Sequence, residues 1–314
     1  MSFWQSKPGV LCGAVLLAAA LAVGLTGVRV YAVTHPARQA PDDIDFDSML
    51  MRAQRVQFPS TDGIELQGWM ILGKSDRPPI LLCHDAGSSK ASLVSLAIAL
   101  HNKGFPILLF DFRGHGASGG RLSTLGLREK RDILGALEFI TERWDETTRH
   151  VGVYGVGMGA HAAVLAAADR QALRVLVLDG LYPDVSYPLA RRVFGGWKPG
   201  IRKLAFLPNS LFVLMNRIRI GDHRAADTLP NLLGRDVLLL APVGDPELTA
   251  EMKRMLGSIP KQPDVDGNLV ILPATQVHGL YGRDLGLHVT EVTEFFESRL
   301  TGVATGSGSS AGLD

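Results

Sequence analysis

The sequence predicts an α/β domain, a mostly parallel β-sheet covered on both faces by helices, preceded by one transmembrane helix. Three observations carry this reading. Short, continuously apolar runs such as Ile80–Cys83, Pro106–Phe110, Val151–Tyr154 and Val237–Leu240 alternate with longer amphipathic stretches. A run apolar at every position reads as a strand buried on both faces, as in a parallel sheet under helices. Finally, Gly9–Val28 carries no charge, and about 20 such residues cross a hydrocarbon layer ~30 Å thick.

Taken in order, residues 1–8 form a short tail and 9–33 the membrane anchor. An uncleaved anchor fits better than a signal peptide, because Arg29, Val30 and Tyr31 follow the apolar run where small residues would mark a cleavage site. Cys12 lies too early in the run for a lipoprotein box. Lys7 on one side and Arg29 and Arg38 on the other leave orientation undecided by charge. A short leading tail favours the cytoplasm for itself and the extracytoplasmic side for the large domain. Residues 34–51 are rich in Pro and Asp and read as a tether that lifts the domain off the membrane.

The domain proper is expected over 52–300. Arg55–Phe58 and Ile64–Ile71 pair as a hairpin around Thr61-Asp62-Gly63, and the later strands add Arg174–Leu178 and Leu269–Leu272. Ser92–Lys103, Glu129–Glu142 and His161–Ala168 read as helices. Residues 182–233 interrupt the alternation with an apolar, proline-punctuated stretch, read as a helical cap that is either extra core or a lid over an apolar substrate. The Gly/Ser-rich residues 301–314 read as a disordered tail. With 32 basic and 31 acidic residues, nothing in the bulk charge favours nucleic acid. Two cysteines supply neither a disulfide framework nor a zinc cluster.

The chemistry concentrates at Gly155-Val156-Gly157-Met158-Gly159, where a strand turns abruptly into an Ala-rich helix. This is the frame of a nucleophile elbow, whose central residue is held at positive φ and whose flanking glycines let backbones pass too close for a Cβ. A dinucleotide cradle is the rival, but that fingerprint follows the first strand of its domain. Two neighbouring segments add to the frame: Cys83-His84-Asp85-Ala86-Gly87, and Asp111-Phe112-Arg113-Gly114-His115-Gly116-Ala117-Ser118. Together the three resemble the α/β-hydrolase superfamily, in particular its serine aminopeptidase-like and membrane-anchored esterase branch, from about Val56 to Leu300.

That resemblance implies an α/β-hydrolase fold and a serine at position 157, where this chain has glycine. It further implies Asp245, in Pro242-Val243-Gly244-Asp245-Pro246, as the acid, and His278, in Gln276-Val277-His278-Gly279, as the base. The backbone N–H groups of Ala86 and Met158 are the expected oxyanion donors. Asp85 stands where the branch has glycine; it is read as facing outward and capping its loop, with an inward carboxylate opposing any oxyanion. Ser88, Ser89 and Ser118 have no evident base, and His84, His115 and Asp111 lack a metal-ligand spacing. Arg113 and His115 read as structural turn residues. No cofactor or metal is implied.

The leading reading is a membrane-anchored pseudo-hydrolase that binds a small apolar or acyl-type ligand, or a protein partner, through the old pocket. Three alternatives stay open: general-base catalysis by His278 and Asp245 without a nucleophile, an active ester or amide hydrolase using another nucleophile, and a purely structural protein.

Overall fold

The computed structural model describes residues 7–38, 53–143, 150–195, 203–260, 267–273 and 282–301. Helix α1 (Lys7–Thr34) leads into β1 (Ala53–Pro59) and β2 (Glu65–Ile71), an antiparallel hairpin in register from Ala53↔Ile71 to Pro59↔Glu65. There follow β3 (Ile80–Cys83), α2 (Val94–Asn102), β4 (Ile107–Phe110), α3 (Lys130–Thr141), β5 (Val151–Val156), α4 (Met158–Asp169) and β6 (Leu173–Asp179). The chain continues through α5 (Ser186–Phe194), α6 (Phe206–Asn216), β7 (Asp236–Pro242), α7 (Pro246–Gly257), β8 (Gly267–Leu272) and α8 (Gly282–Thr301). The eight strands lie in the order β1-β2-β4-β3-β5-β6-β7-β8, parallel from β4 to β8.

The apolar runs divide by alternation. Leu81 and Cys83, Leu176 and Leu178, and Val237 and Leu239 face the core under α3, α4 and α7. Their neighbours Ile80 and Leu82, Val175 and Val177, and Leu238 and Leu240 face the core under α2 and α8. Burial on both faces is why these strands carry no polar alternation. Among residues 182–233, α5 and α6 build a third apolar cluster around Leu189, Val193 and Phe212.

Three details depart from the sequence reading. The helix expected over Ser92–Lys103 begins as a 3-10 turn, Lys90–Leu93, because the Lys90 N–H is drawn to the buried Asp111 carboxylate at 2.9 Å. The helix expected from His161 starts directly at Met158, its glycine-rich first turn having read as part of the loop. The tether expected from residue 34 does not begin there. Val30 and Thr34 are fully buried on the domain, and the Thr34 carbonyl accepts the Ser123 N–H at 2.8 Å. Arg29 Nη1 donates to the Val193 carbonyl at 2.6 Å, and Arg38 Nη2 donates to the Gly120 carbonyl at 2.5 Å. The helix end is therefore seated on the cap helices and on the loop between β4 and α3. Residues 39–51 of the tether, the tail beyond 301 and the histidine loop 274–281 lie outside the described residues.

Ahead of that seat, α1 is long and apolar enough over Val10–Thr34 to cross a membrane, and its apolar side chains face outward rather than into the core.

Candidate functional site

The site is built on the turn between β5 and α4. Gly157 caps α4 with φ 49° and ψ −103°, donates its N–H to the Asp179 carbonyl at 2.9 Å, and accepts from the His161 N–H at 3.0 Å. The flanking glycines answer a steric demand. A Cβ at Gly155 would lie 2.6 Å from the Ala160 nitrogen, and one at Gly159 would lie 2.8 Å from the Cys83 carbonyl carbon. Real Cβ atoms do not approach that closely, so the tight passage of β5, α4 and β3 selects glycine.

Asp85 does not face outward as its sequence context suggested. Its Oδ1 accepts the Met158 N–H at 2.8 Å, and its Cγ would lie 2.7 Å from a Cβ built on Gly157. The carboxylate thus fills the space above Gly157 that a side chain there would claim, and it engages one of the two expected oxyanion donors. The physical reason is the N-terminus of α4, whose unsatisfied N–H groups and positive dipole end attract a carboxylate. Without a side chain at 157, nothing keeps it away. The cap completes the arrangement: Arg192 Nη2 lies 3.5 Å from Asp85 Oδ2 and donates to the carbonyl of Ala86, the other expected donor residue, at 3.2 Å.

The loop that carries Asp85 is fixed by histidines acting as neutral braces. His84 is fully buried, and burial together with the neighbouring His115 pulls its pKa down to about 3. Its Nε2 accepts the Phe112 N–H at 3.1 Å, so the proton sits on Nδ1 and is donated to the Asp85 carbonyl at 2.7 Å. His115 repeats the pattern, with burial lowering its pKa. Its Nε2 accepts the Gly87 N–H at 3.0 Å while Nδ1 faces the Arg113 carbonyl at 3.0 Å. Asp111 binds Lys90 Nζ at 2.5 Å and the Ala117 N–H at 3.0 Å. The Ser118 hydroxyl donates to the Asp111 carbonyl at 2.5 Å and accepts the Gln67 N–H at 2.9 Å, which engages it structurally. Arg113 spans the buried Asp132 and the hairpin residue Asp62, each at 2.6 Å, and holds the Asp62 carboxyl well below the usual range. Among the described residues, no three His, Cys, Asp or Glu side chains gather as metal ligands would.

Asp245 follows β7 and caps α7, accepting the Leu248 N–H at 3.0 Å. It is nearly buried, receives the Tyr187 hydroxyl at 3.2 Å, and is paired with the Arg191 guanidinium. Burial and the Asp245 charge push the Tyr187 hydroxyl pKa up, so it remains a donor. The structure brings Gly157, Met158, Asp85 and Ala86 together and links them through α5 to Asp245. His278 falls in the segment outside the described residues.

Sequence reasoning missed two features. Consecutive arginines on α5, Arg191 and Arg192, each address an acid of the site; two basic residues ending a helix carry no signal of their partners. A buried triad also lies beside the elbow: the Tyr154 hydroxyl donates to Asp179 Oδ2 at 2.9 Å, and His288 Nε2 meets the same oxygen at 2.9 Å. All three are fully buried, so no substrate reaches them, and they tie α8 and β6 to the strand that bears the elbow. Asp179, the one charge ending an apolar strand, was the available clue.

Residues 74–200 match the family model of the serine aminopeptidases, S33. The uncharacterized protein Rv2307c of Mycobacterium tuberculosis (strain H37Rv) is 30% identical over 177 residues, covering 53% of this chain and 62% of that protein. The uncharacterized protein YfhR of Escherichia coli O157:H7 is 30% identical over 150 residues, covering 45% and 52%. The matches thus span between half and two thirds of those relatives' length. The Pyrococcus furiosus esterase Pf2001 superposes with a TM-score of 0.64 at 22% identity, covering 85% of this chain and 98% of that one, a likeness of fold. With the strand order and the elbow turn in agreement with that likeness, the chain has the α/β-hydrolase fold, and residues 74–200 are similar to the serine aminopeptidases.

Proposed function

We propose that this is a membrane-anchored α/β-hydrolase-fold protein that has lost serine acyl transfer and binds an apolar or acyl-type ligand, or a protein partner, through the remodelled site. The supporting observation is the Asp85 carboxylate bonded to the Met158 N–H over a glycine. Glycine offers no nucleophile, so the acyl-enzyme route is closed at position 157. The carboxylate closes it a second time. Two unit charges ~4 Å apart repel by about 4 kcal/mol at an effective dielectric of ~20, which corresponds to roughly a thousandfold in rate. A tetrahedral oxyanion competing for the Met158 N–H meets that repulsion.

The anchor is α1, and the reading places the large domain on the extracytoplasmic side. General-base catalysis by an Asp245–His278 pair is disfavoured by the Arg191 ion pair, which draws on the carboxylate that would orient the imidazole. The test is hydrolysis of short acyl esters and labelling by a serine-directed fluorophosphonate. The native chain and Gly157→Ser are expected to be silent, because Arg191 holds Asp245 and a displaced Asp85 carboxylate still stands beside the oxyanion site, and Gly157→Ser with Asp85→Gly and Arg191→Ala to gain both activities. Labelling of the native chain would overturn the proposal.

A further inference from the structure

Helix α6 carries no charge, and Asn209, Ser210 and Asn216 are its polar residues. One face, Pro208, Phe212 and Asn216, is buried on the domain. A helix at a water-facing surface carries polar residues on its other face. Here the outward line runs through Phe206, Ser210 and Leu214, with Phe206 66% and Leu214 74% exposed, flanked by Met215 and by Leu204 just ahead of the helix. Cations stand at both ends of the line: Lys203 before it and Arg217 and Arg219 after it, all exposed. Apolar side chains in the middle of an outward face and basic ones at its rim are the pattern of a helix lying in a membrane interface.

What covers this face is indicated by its neighbour. Helix α6 packs directly against α1 and against α5, and Val30 and Val33 of α1 join Phe212 in one apolar cluster. The rest of α1, from Val10 to Val28, exposes its apolar side chains in every direction. A protein partner covers one side of such a helix, whereas a bilayer covers all of it. The span that fits a hydrocarbon layer ends near Arg29, whose guanidinium is bound to the Val193 carbonyl of α5. The cap therefore begins where the hydrocarbon ends, and the exposed face of α6 continues the apolar surface of α1.

We propose that the outward face of α6 is a membrane-docking surface, with Phe206 and Leu214 inserted among the acyl chains and Lys203, Arg217 and Arg219 set against anionic headgroups. This rests on the reading of α1 as a membrane anchor. It deepens the functional reading, because a cap held in the headgroup layer admits its ligand from the bilayer, which makes that ligand a membrane amphiphile rather than a water-borne solute. The cap helix α5 carries Arg191 and Arg192, so the docked surface is one helix away from Asp245 and Asp85.

The test uses the full chain in nanodiscs containing anionic phospholipid, with Cys12→Ala and the buried Cys83 left in place. Nitroxides are attached singly at Phe206→Cys, Leu214→Cys, Leu17→Cys in α1 and Leu72→Cys on the exposed end of the β2 region. Collision rates with oxygen, which concentrates in lipid, and with a nickel chelate, which stays in water, give the depth of each label. The expected result is oxygen-dominated relaxation at Leu17, Phe206 and Leu214 and nickel-dominated relaxation at Leu72. Nickel access at Phe206 and Leu214 with Leu17 in lipid would overturn the docking face and leave the anchor standing. Nickel access at Leu17 as well would remove both.

Discussion

Restoring serine at the elbow tests the logic of the site most sharply, because the structure predicts that the substitution fails alone and succeeds in company. Gly157→Ser places a Cβ 2.7 Å from the Asp85 carboxyl carbon at a residue whose φ is 49°. Backbone strain at such a position costs about 1–3 kcal/mol for a residue with a side chain. The overlap also expels Asp85 from the Met158 N–H, forfeiting a charge-assisted hydrogen bond worth about 1.5–3 kcal/mol. The single variant should therefore lose about 4 kcal/mol. Asp85→Gly alone should lose about 2 kcal/mol, the hydrogen bond only. The double variant loses that hydrogen bond once, not twice, so it should be no less stable than Gly157→Ser, and the cycle should depart from additivity by about 2 kcal/mol. For a domain of this size each kcal/mol moves Tm by roughly 2–4 °C. The measurement is Tm of the full chain in detergent for all four members of the cycle. A drop of under about 3 °C for Gly157→Ser, or strict additivity, would refute the claim that Asp85 occupies the side-chain space of position 157.

Three further outcomes follow from the charges. Arg113→Ala leaves the buried Asp132 without its guanidinium partner and should cost about 3–5 kcal/mol, read as a fall in Tm of roughly 6–20 °C. Arg191→Ala removes the guanidinium partner of Asp245 and leaves it with the Tyr187 hydroxyl and the Leu248 N–H; since the arginine is more than one-third exposed, solvent screening holds the loss to about 1 kcal/mol, but cleavage of the cap by a dilute protease should accelerate. Burial lowers the pKa of His84 to about 3 and of His161 to about 4, so the unfolded chain takes up protons first as pH falls below about 6.5. Unfolding is then favoured by acid, and the two histidines together should remove about 4 kcal/mol of stability between pH 7.5 and pH 5. His115, lowered by burial in the same way, adds to this in the same direction; denaturant titrations at the two pH values read the sum, and His161→Phe should remove about 2 kcal/mol of it.

The sheet was legible because strands buried on both faces leave no polar residue to confuse them: Ile80–Cys83 and Val237–Leu240 read as strands with no help from tertiary context. The elbow was legible because sterics wrote glycine at 155 and 159, where backbones pass within a Cβ radius. Helix starts were less so, since α4 begins inside a Gly-Met-Gly-Ala run whose composition signals a turn. The orientation of Asp85 was not legible at all. Its choice between solvent and the α4 N-terminus depends on whether position 157 has a side chain, a contact between residues far apart in sequence. The seat of α1 on the domain was hidden for the same reason, because Thr34 reads as the start of a Pro- and Asp-rich stretch until Ser123 is seen to donate to it.

Each departure from a working serine hydrolase has an innocent explanation when taken singly. Glycine suits positive φ, aspartate suits a helix N-terminus, and arginine suits a helix C-terminus. Their placement is what makes them one change. Along α5, Arg191 takes Asp245, Arg192 reaches Asp85 and the Ala86 carbonyl, and the next carbonyl, that of Val193, takes Arg29 of α1. Successive helical residues point ~100° apart, so one turn of α5 lies between the two acids and the end of α1. In a catalytic site, a guanidinium on the orienting acid would cost the base its partner, and a carboxylate on the oxyanion donor would repel the intermediate. On the proposed reading both are tolerated because no oxyanion forms. The same contacts supply what the proposed binding role needs, a cap whose position over the site is set by charge pairs and whose far side is fastened to α1.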